Sequence, residues 1–530
     1  MGGISVKRPF HVVDLFAGPG GLAEGFEPVG SPMKSRKARI VLSVEKDAAA
    51  HRTLRFRAFL RQFGENLPAE YYHHLQNGTE DVDAALASLY PQEWAHAENE
   101  AWHFEMASTP EVRDVFTKRL QALRKSSGDR LLVIGGPPCQ AYSLVGRSRN
   151  KGNADYDATT DVRHVLYEEY IAALETVSPV AFVMENVKGL ISSKLDGENI
   201  IHRILDDLRS VGNGYTLLTV TPPRYNLTRK NNKPGDLEPV DFVVRAEQHG
   251  VPQARHRVLI VGVRNDHFHD GHTDERLYLK TRTPVSVAAA IGSLPSRFAS
   301  LSARSKNKGE SLDTTLEEAR SIALRAVDHV PEVHRQAFRK SVEGAQETLF
   351  SAVATLPTPL TGWLCDPKVA TPVNHDVRTH MGSDLQRYFY ASCYAQATGV
   401  SPKAVDFPSE LAPAHRSWKS GNFPDRFRVQ LAHQPSTTVT AHISKDGHAF
   451  IHPDPGQCRS LTVREAARLQ TFPDNYLFLG TRTQQYVQVG NAVPPYLAHQ
   501  IATALLHALV PPTPKRRPTK RSESKSGDRP

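Results

Sequence analysis

The sequence predicts an α/β fold: a doubly wound, mostly parallel sheet with helices on both faces, joined to a smaller, irregular second domain. Three observations carry that prediction. Short, continuous apolar runs recur at FHVVDL (10–15), RIVLSVE (39–45), LLVIGG (131–136) and VAFVMEN (180–186). Runs without polar alternation suit strands buried on both faces. Helix-period stretches such as VLYEEYIAALETV (165–177) separate them, and that alternation marks βαβ units. From about residue 296 to 430 the pattern dissolves into scattered Pro, Arg, His and aromatic residues.

The elements follow in order. The first apolar run ends in a glycine-rich turn, FAGPGG (16–21), that opens a helix; the second run ends at Glu45. Residues 64–128 are polar and rich in helix formers (EDVDAALASLYPQEWAHAENEAW), an insertion between strands. GYTLLTVT (214–221) and DFVVRAEQHGVPQARHRVLIVGVR (241–264) read as added strands, the latter a hairpin turning at His249-Gly250. Order returns at RSLTVREAARLQTFPD (459–474). There Thr462 and Glu465, three residues apart, form a capping box. Val463, Ala466, Ala467 and Leu469 make an apolar helical stripe. The expected plan is a first unit at 1–295, a second at 296–430, a return segment at 431–510 and a disordered tail at 511–530.

The 530-residue chain is long enough for more than one domain, and 23% charged against 39% hydrophobic residues suits a folded globular protein. No apolar stretch nears the roughly 18 residues of a membrane span. The N-terminal MGGISVKRPFHVVDLF lacks the basic, apolar, small-residue order of a secretory signal. Cys139, Cys365, Cys393 and Cys458 are scattered without a CxxC pair or a His–Cys cluster. That argues against a disulfide framework or a metal site and fits a reducing, cytoplasmic compartment. The net charge is +9, and residues 515–530, with seven basic and two acidic side chains, hold +5 of it. This tail is either solubilising or a phosphate-attracting arm.

In an open parallel sheet, ligands bind beyond the carboxyl ends of the strands, and four strand ends here carry chemistry. The turn GPGGLA meets the loose G-x-G-x-x-[GA] form, in which glycines let backbone approach a ligand; a purely structural tight turn fits it about as well. Glu45, closing the next strand, has the placement of a carboxylate that bonds ribose hydroxyls. A nucleoside-bearing cofactor, NAD(P) or S-adenosylmethionine, follows. GGPPCQ (135–140) bends the backbone sharply to expose Cys139. Hydride transfer has no use for such a thiol, whereas covalent activation of an unreactive ring does. Glu185 can bind and protonate a ring nitrogen beside it, with Asn186 holding the nearby backbone. Arg255 and Arg257, alternating in QARHRV, can bond a carbonyl oxygen and the catalytic groups.

At this point the chain resembles the DNA (cytosine-5)-methyltransferases, of prokaryotic type II restriction-modification or orphan kind. The motifs run in family order: DLFAGPGG, SVEKD, GGPPCQAYS, ENVKGL, QARHRV, RSLTVREAARLQTFPD and QVGNAVPP. The resemblance implies a Rossmann-like S-adenosylmethionine-dependent catalytic domain (1–295, completed by 431–510) and a target-recognition domain at 296–430. It implies that Cys139 attacks C6 of cytosine, that Glu185 binds N3 and the amino group, and that Arg257 meets O2 with Arg255 in support. Phe16, Gly18, Gly20, Glu45, Pro138, Leu166 and Asn491 would line S-adenosylmethionine. Gln140, Ser143, Arg147 and Arg163 would belong to a loop closing over DNA. Tyr142 stands where the family usually has Phe. The acidic residue expected at the adenine is Asp81 or Glu105. The cytosine must leave the duplex to be reached. Double-stranded DNA is the implied partner, a cognate restriction endonuclease a further one, in a monomer of the bacterial cytoplasm associated with the nucleoid. The same chemistry on tRNA, or a catalytically silent DNA-binding module, are the competing readings.

Overall fold

The computed structural model describes residues 8–30, 37–78, 80–106, 109–138, 162–195, 198–223, 237–268, 276–345, 355–414, 418 and 424–510. Twelve strands occur among them: β1 (Phe10–Leu15), β2 (Ala38–Glu45), β3 (Ala101–His103), β4 (Leu131–Gly135), β5 (Ala181–Val187), β6 (Lys194–Leu195), β7 (Glu198–Asn199), β8 (Tyr215–Leu218), β9 (Val243–Arg245), β10 (Gln253–Ala254), β11 (His256–Arg264) and β12 (Ser436–Thr437). The main sheet runs β3-β2-β1-β4-β5-β11-β8, with β9 paired to β11. Strands β3, β2, β1, β4 and β5 are mutually parallel, while β11 is antiparallel to its neighbours.

Alternate residues of each central strand feed two cores, as the period of a strand requires. Val12, Ile134, Val183 and Val261 face a core closed by helices Gly21–Phe26 and Pro495–Ala508. Val13, Val133, Phe182 and Ile260 face the other, closed by helices Pro110–Ser127, Val162–Val177 and Ile200–Ser210. The sheet is therefore doubly wound, and its apolar runs are continuous because neither face meets water. The C-terminal helix covers the first strand, so the two ends of the fold share one core.

Two segments differ from their sequence-based description. The insertion at 64–128 does carry helices, at Ala69–Asn77, Val82–Leu89, Pro91–Glu100 and Pro110–Ser127. It also contributes β3, which extends the main sheet beside β2. Three residues, AWH, are too short for a periodic signal. The segment 296–430, expected to be irregular, holds helices Leu312–Arg325, Arg335–Glu343 and Gly382–Thr398 around an aromatic core of Phe338, Tyr388, Tyr390 and Phe427. Helix Gly382–Thr398 is buried through most of its length, so its apolar residues make no one-sided stripe. That core also takes in Ile451 and Cys458, beyond residue 430. The 241–264 hairpin forms: β9 pairs antiparallel with β11, and Gly250 turns at φ 82°. The capping box at Thr462 and Glu465 is present. No helix among the described residues is long and apolar enough to cross a membrane. The tail 511–530 lies outside the described residues.

Candidate active site

The order β2-β1-β4-β5, all parallel, sets four carboxyl ends side by side. Beyond β1 the backbone turns through positive φ at Phe16 (59°), Gly18 (58°) and Gly20 (99°), a region that disfavours residues with a Cβ. A Cβ on Gly18 would meet nothing within 4 Å, so the turn presents bare backbone to open space. Glu45 grips this turn. Its Oε2 accepts the Gly18 N–H at 2.8 Å and its Oε1 the Asp47 N–H at 2.7 Å. Burial raises the Glu45 pKa, against these same backbone donors. Phe16 is half-buried and Leu166 buried, both in the core beneath the sheet.

The C-terminal segment returns to this turn. A Cβ on Gly21 would lie 2.4 Å from the Val493 carbonyl oxygen, so only glycine lets the two backbones pack. Asn491 closes helix Arg482–Asn491 just before that contact, exposed to solvent.

The second half of the site lies on β4, β5 and β11. A Cβ on Gly136 would stand 2.9 Å from Glu185 Oε2, so the glycine makes room for that carboxylate. Asn186 Nδ2 donates to the Pro137 carbonyl at 3.1 Å, while its Oδ1 accepts the Val187 N–H at 2.7 Å. The asparagine thus ties the Pro-Pro turn to β5, and half-buried Pro138 follows directly. Cys139, Gln140, Tyr142, Ser143 and Arg147 lie outside the described residues, and Arg163 falls in the first turn of helix Val162–Val177. Arg257 Nε lies 2.8 Å from Glu185 Oε1, both side chains largely buried. Arg255 goes elsewhere. Its guanidinium is buried and donates to the carbonyls of Val439 (2.8 Å) and Gly490 (3.3 Å). Burial, with the Arg257 charge beside it, pulls its pKa well down.

Sequence reasoning passed over one feature. Parallel pairing of β10 with β12 places the run PSTTVTAH (435–442) against Ala254, and Thr438 Oγ1 donates to the Ala254 carbonyl at 2.6 Å. Arg428, Thr437, Thr438, Thr440 and His442 line a depression of about 460 Å³ there, three residues along the chain from Arg257. The hydroxyl-rich run was its only signal in the sequence. Of the two acidic candidates for the adenine, Glu105 follows β3 and pairs with Lys46 Nζ at 3.2 Å, and the neighbouring Phe104 N–H donates to the Glu45 carbonyl at 3.0 Å. Asp81 instead precedes helix Val82–Leu89.

A family model for C-5 cytosine-specific DNA methylases matches residues 111–507. The chain belongs to that family. The type II methyltransferase M.Bpa9945I of Bacillus paralicheniformis is 31% identical over 509 residues, covering 93% of this chain and 98% of that protein. The type II methyltransferase M.DdeI of Desulfomicrobium norvegicum is 26% identical, over 93% of this chain and 87% of its own length. Among solved structures, an Escherichia coli prophage-encoded protein named for DNA modification methyltransferase activity matches with a TM-score of 0.50 and 19% identity, over 94% of this chain and 99% of that one. The fold is therefore that of the Rossmann-like methyltransferases, and the activity that of a DNA (cytosine-5-)-methyltransferase.

Proposed function

We propose that this C-5 cytosine DNA methylase methylates a flipped cytosine in a specific duplex sequence, through a covalent bond from Cys139, with S-adenosylmethionine as donor. The turn fits such a donor: it offers bare backbone at Gly18, beside the Glu45 carboxylate, which would take the ribose hydroxyls. Phe16, Gly18, Gly20, Glu45, Pro138, Leu166 and Asn491 would hold it, with Glu105 at the adenine. When bound, S-adenosylmethionine supplies an electrophilic methyl group. The chain's own residues do the rest. The Cys139 thiolate adds to C6 of the cytosine while Glu185 places a proton on N3, and the electron pair so released makes C5 nucleophilic. After methylation the C5 proton passes to solvent, the C6–S bond breaks with its pair returning to sulfur, and N3 returns its proton to Glu185. Arg257 holds Glu185 and meets O2 of the base, and Arg255 positions this segment from behind.

The observation that carries this reading is the joint hold on Glu185 and the Pro-Pro turn by Arg257, Gly136 and Asn186 at the same sheet edge as Glu45. The depression at Arg428 and Thr438 suits a DNA phosphate near the base, since phosphate contacts position a duplex while groove contacts read it. Residues 296–430 would do the reading, and Gln140, Ser143, Arg147 and Arg163 would close over the DNA. We take the chain as a cytoplasmic, nucleoid-associated monomer, and a restriction endonuclease as its partner in the cell.

Duplex DNA carrying 5-fluorocytosine tests the reaction, because fluorine cannot leave C5 as a proton does. With S-adenosylmethionine present, a denaturation-resistant protein–DNA complex is expected from the wild type and none from Cys139→Ala. Methyl transfer from labelled donor to tRNA but not to DNA would overturn the DNA assignment.

A further inference from the structure

The return segment carries a tyrosine that no step above uses. Tyr476 is fully buried, and its hydroxyl donates to the carbonyl oxygen of Pro19, inside the glycine turn. A Cβ on Gly20 would lie 3.3 Å from that hydroxyl, so the turn rests on it. Behind the ring lies Arg57, its guanidinium 4.4 Å from the ring centroid. Arg57 donates to both oxygens of Glu24, at 2.8 Å each, and to the carbonyl and side-chain oxygens of Asn475, at 3.0 Å each. Glu24 sits in the helix that opens from the turn, and Arg57 in helix Ala48–Arg61, just after Glu45. One buried cation and one ring therefore join the turn, the strand end that bears Glu45, and the C-terminal return.

A buried tyrosine hydroxyl needs an acceptor. This one is spent on a carbonyl flanked by Gly18 and Gly20, both at positive φ. Glycines take these angles without strain, but they lose more conformational freedom than any other residue when held in one shape. The orientation of the Pro19–Gly20 peptide sets where the bare backbone of the turn points. We infer that Tyr476, backed by Arg57, is a positioning residue for the cofactor turn, keeping it in its binding shape before the cofactor arrives. The inference rests on the reading of that turn as the S-adenosylmethionine site.

Calorimetric titration of S-adenosylmethionine into wild type, Tyr476→Phe and Tyr390→Phe tests it. Tyr390 is an equally buried tyrosine whose hydroxyl donates to a carbonyl, that of Asp406 at 2.7 Å, within the 296–430 core. Both variants lose one such bond and are expected to lose similar thermal stability. Tyr476→Phe is expected to bind the cofactor about fivefold or more weakly, with kcat at saturating cofactor within about twofold of wild type. Tyr390→Phe is expected to bind it normally. Arg57→Lys keeps a cation beside Glu24 but loses the flat stack, and is expected to weaken binding in the same direction. Equal affinity in wild type and Tyr476→Phe, or an equal loss in Tyr390→Phe, would overturn the inference. Absence of binding by the wild type would overturn the cofactor reading itself, and this inference with it.

Discussion

Arg257 reaches Glu185 diagonally across two antiparallel strands. Residue 257 of β11 is paired with Val187 of β5, so Glu185, two positions back on the same face, is its diagonal neighbour, and the Nε–Oε1 distance is 2.8 Å. Diagonal neighbours of this kind are within reach of long side chains. A planar guanidinium can hold one carboxylate oxygen while the other points toward substrate.

These two residues are expected to act as a unit. Glu185→Gln should lower kcat by about 10²–10⁴-fold, and Arg257→Ala by about 10²-fold. The double variant should be little worse than Glu185→Gln, because groups that work together are not additive. Single-turnover methyl transfer on duplex DNA measures all three, and full additivity would separate the two roles.

The space beneath Glu185 is expected to be as sensitive as the residue itself. Gly136→Ala puts a methyl group 2.9 Å from Glu185 Oε2, so the carboxylate must move. A shift of that order costs about 10- to 100-fold in rate, with cofactor affinity unchanged. Asn186→Ala leaves the Pro137 carbonyl without its 3.1 Å donor and should destabilise by about 1–3 kcal/mol, read from denaturant unfolding.

Closure of the two chain ends onto one core predicts a stability effect far from the chemistry. A Cβ on Gly25 would lie 2.4 Å from the Ala498 Cβ and 2.5 Å from its carbonyl carbon. Backbone cannot step aside as a side chain can, so Gly25→Ala should cost about 1–3 kcal/mol. A denaturation midpoint equal to wild type would show that the C-terminal helix is free to shift.

Asp14, fully buried in β1, governs part of the pH dependence. Burial raises its pKa to about 8, opposed by Arg61 and helped by Glu45. The folded state therefore keeps a proton that the unfolded chain loses near pH ~4. Stability from this group falls as pH rises from about 4 to 8 and changes no further above that. Asp14→Asn should flatten the melting temperature across that window and equal or exceed wild type at its alkaline end. An unchanged slope would mean the carboxyl is ionised in the fold.

Much of the fold was legible because the central strands are buried on both faces, and such strands read as unbroken apolar runs. The placement of the candidate residues was legible for a related reason. A strand end is a fixed place in an α/β sheet, so chain order alone brings Glu45, the Pro-Pro turn and Glu185 together. β3 was not legible, since AWH has no period of its own and pairs only because β2 offers an edge. Nor was the helical core around Tyr388, because a helix buried on most sides carries no one-sided stripe.

The sequence by itself determined the sheet, the line of strand ends that carry the candidate site residues and the capping of the 463–469 helix, all of which depend on local pattern and chain order. Only the tertiary structure decided that Arg255 and Arg257, two residues apart, serve different neighbours. Arg257 is turned to Glu185 by the register of β11 on β5, while Arg255 is drawn to carbonyls nearly two hundred residues or more away. It likewise decided that Tyr476 meets Pro19, a contact across 457 positions. Pairings of that span leave no trace in local pattern; they form because a buried donor must find an acceptor, and the packed fold settles which one is within reach.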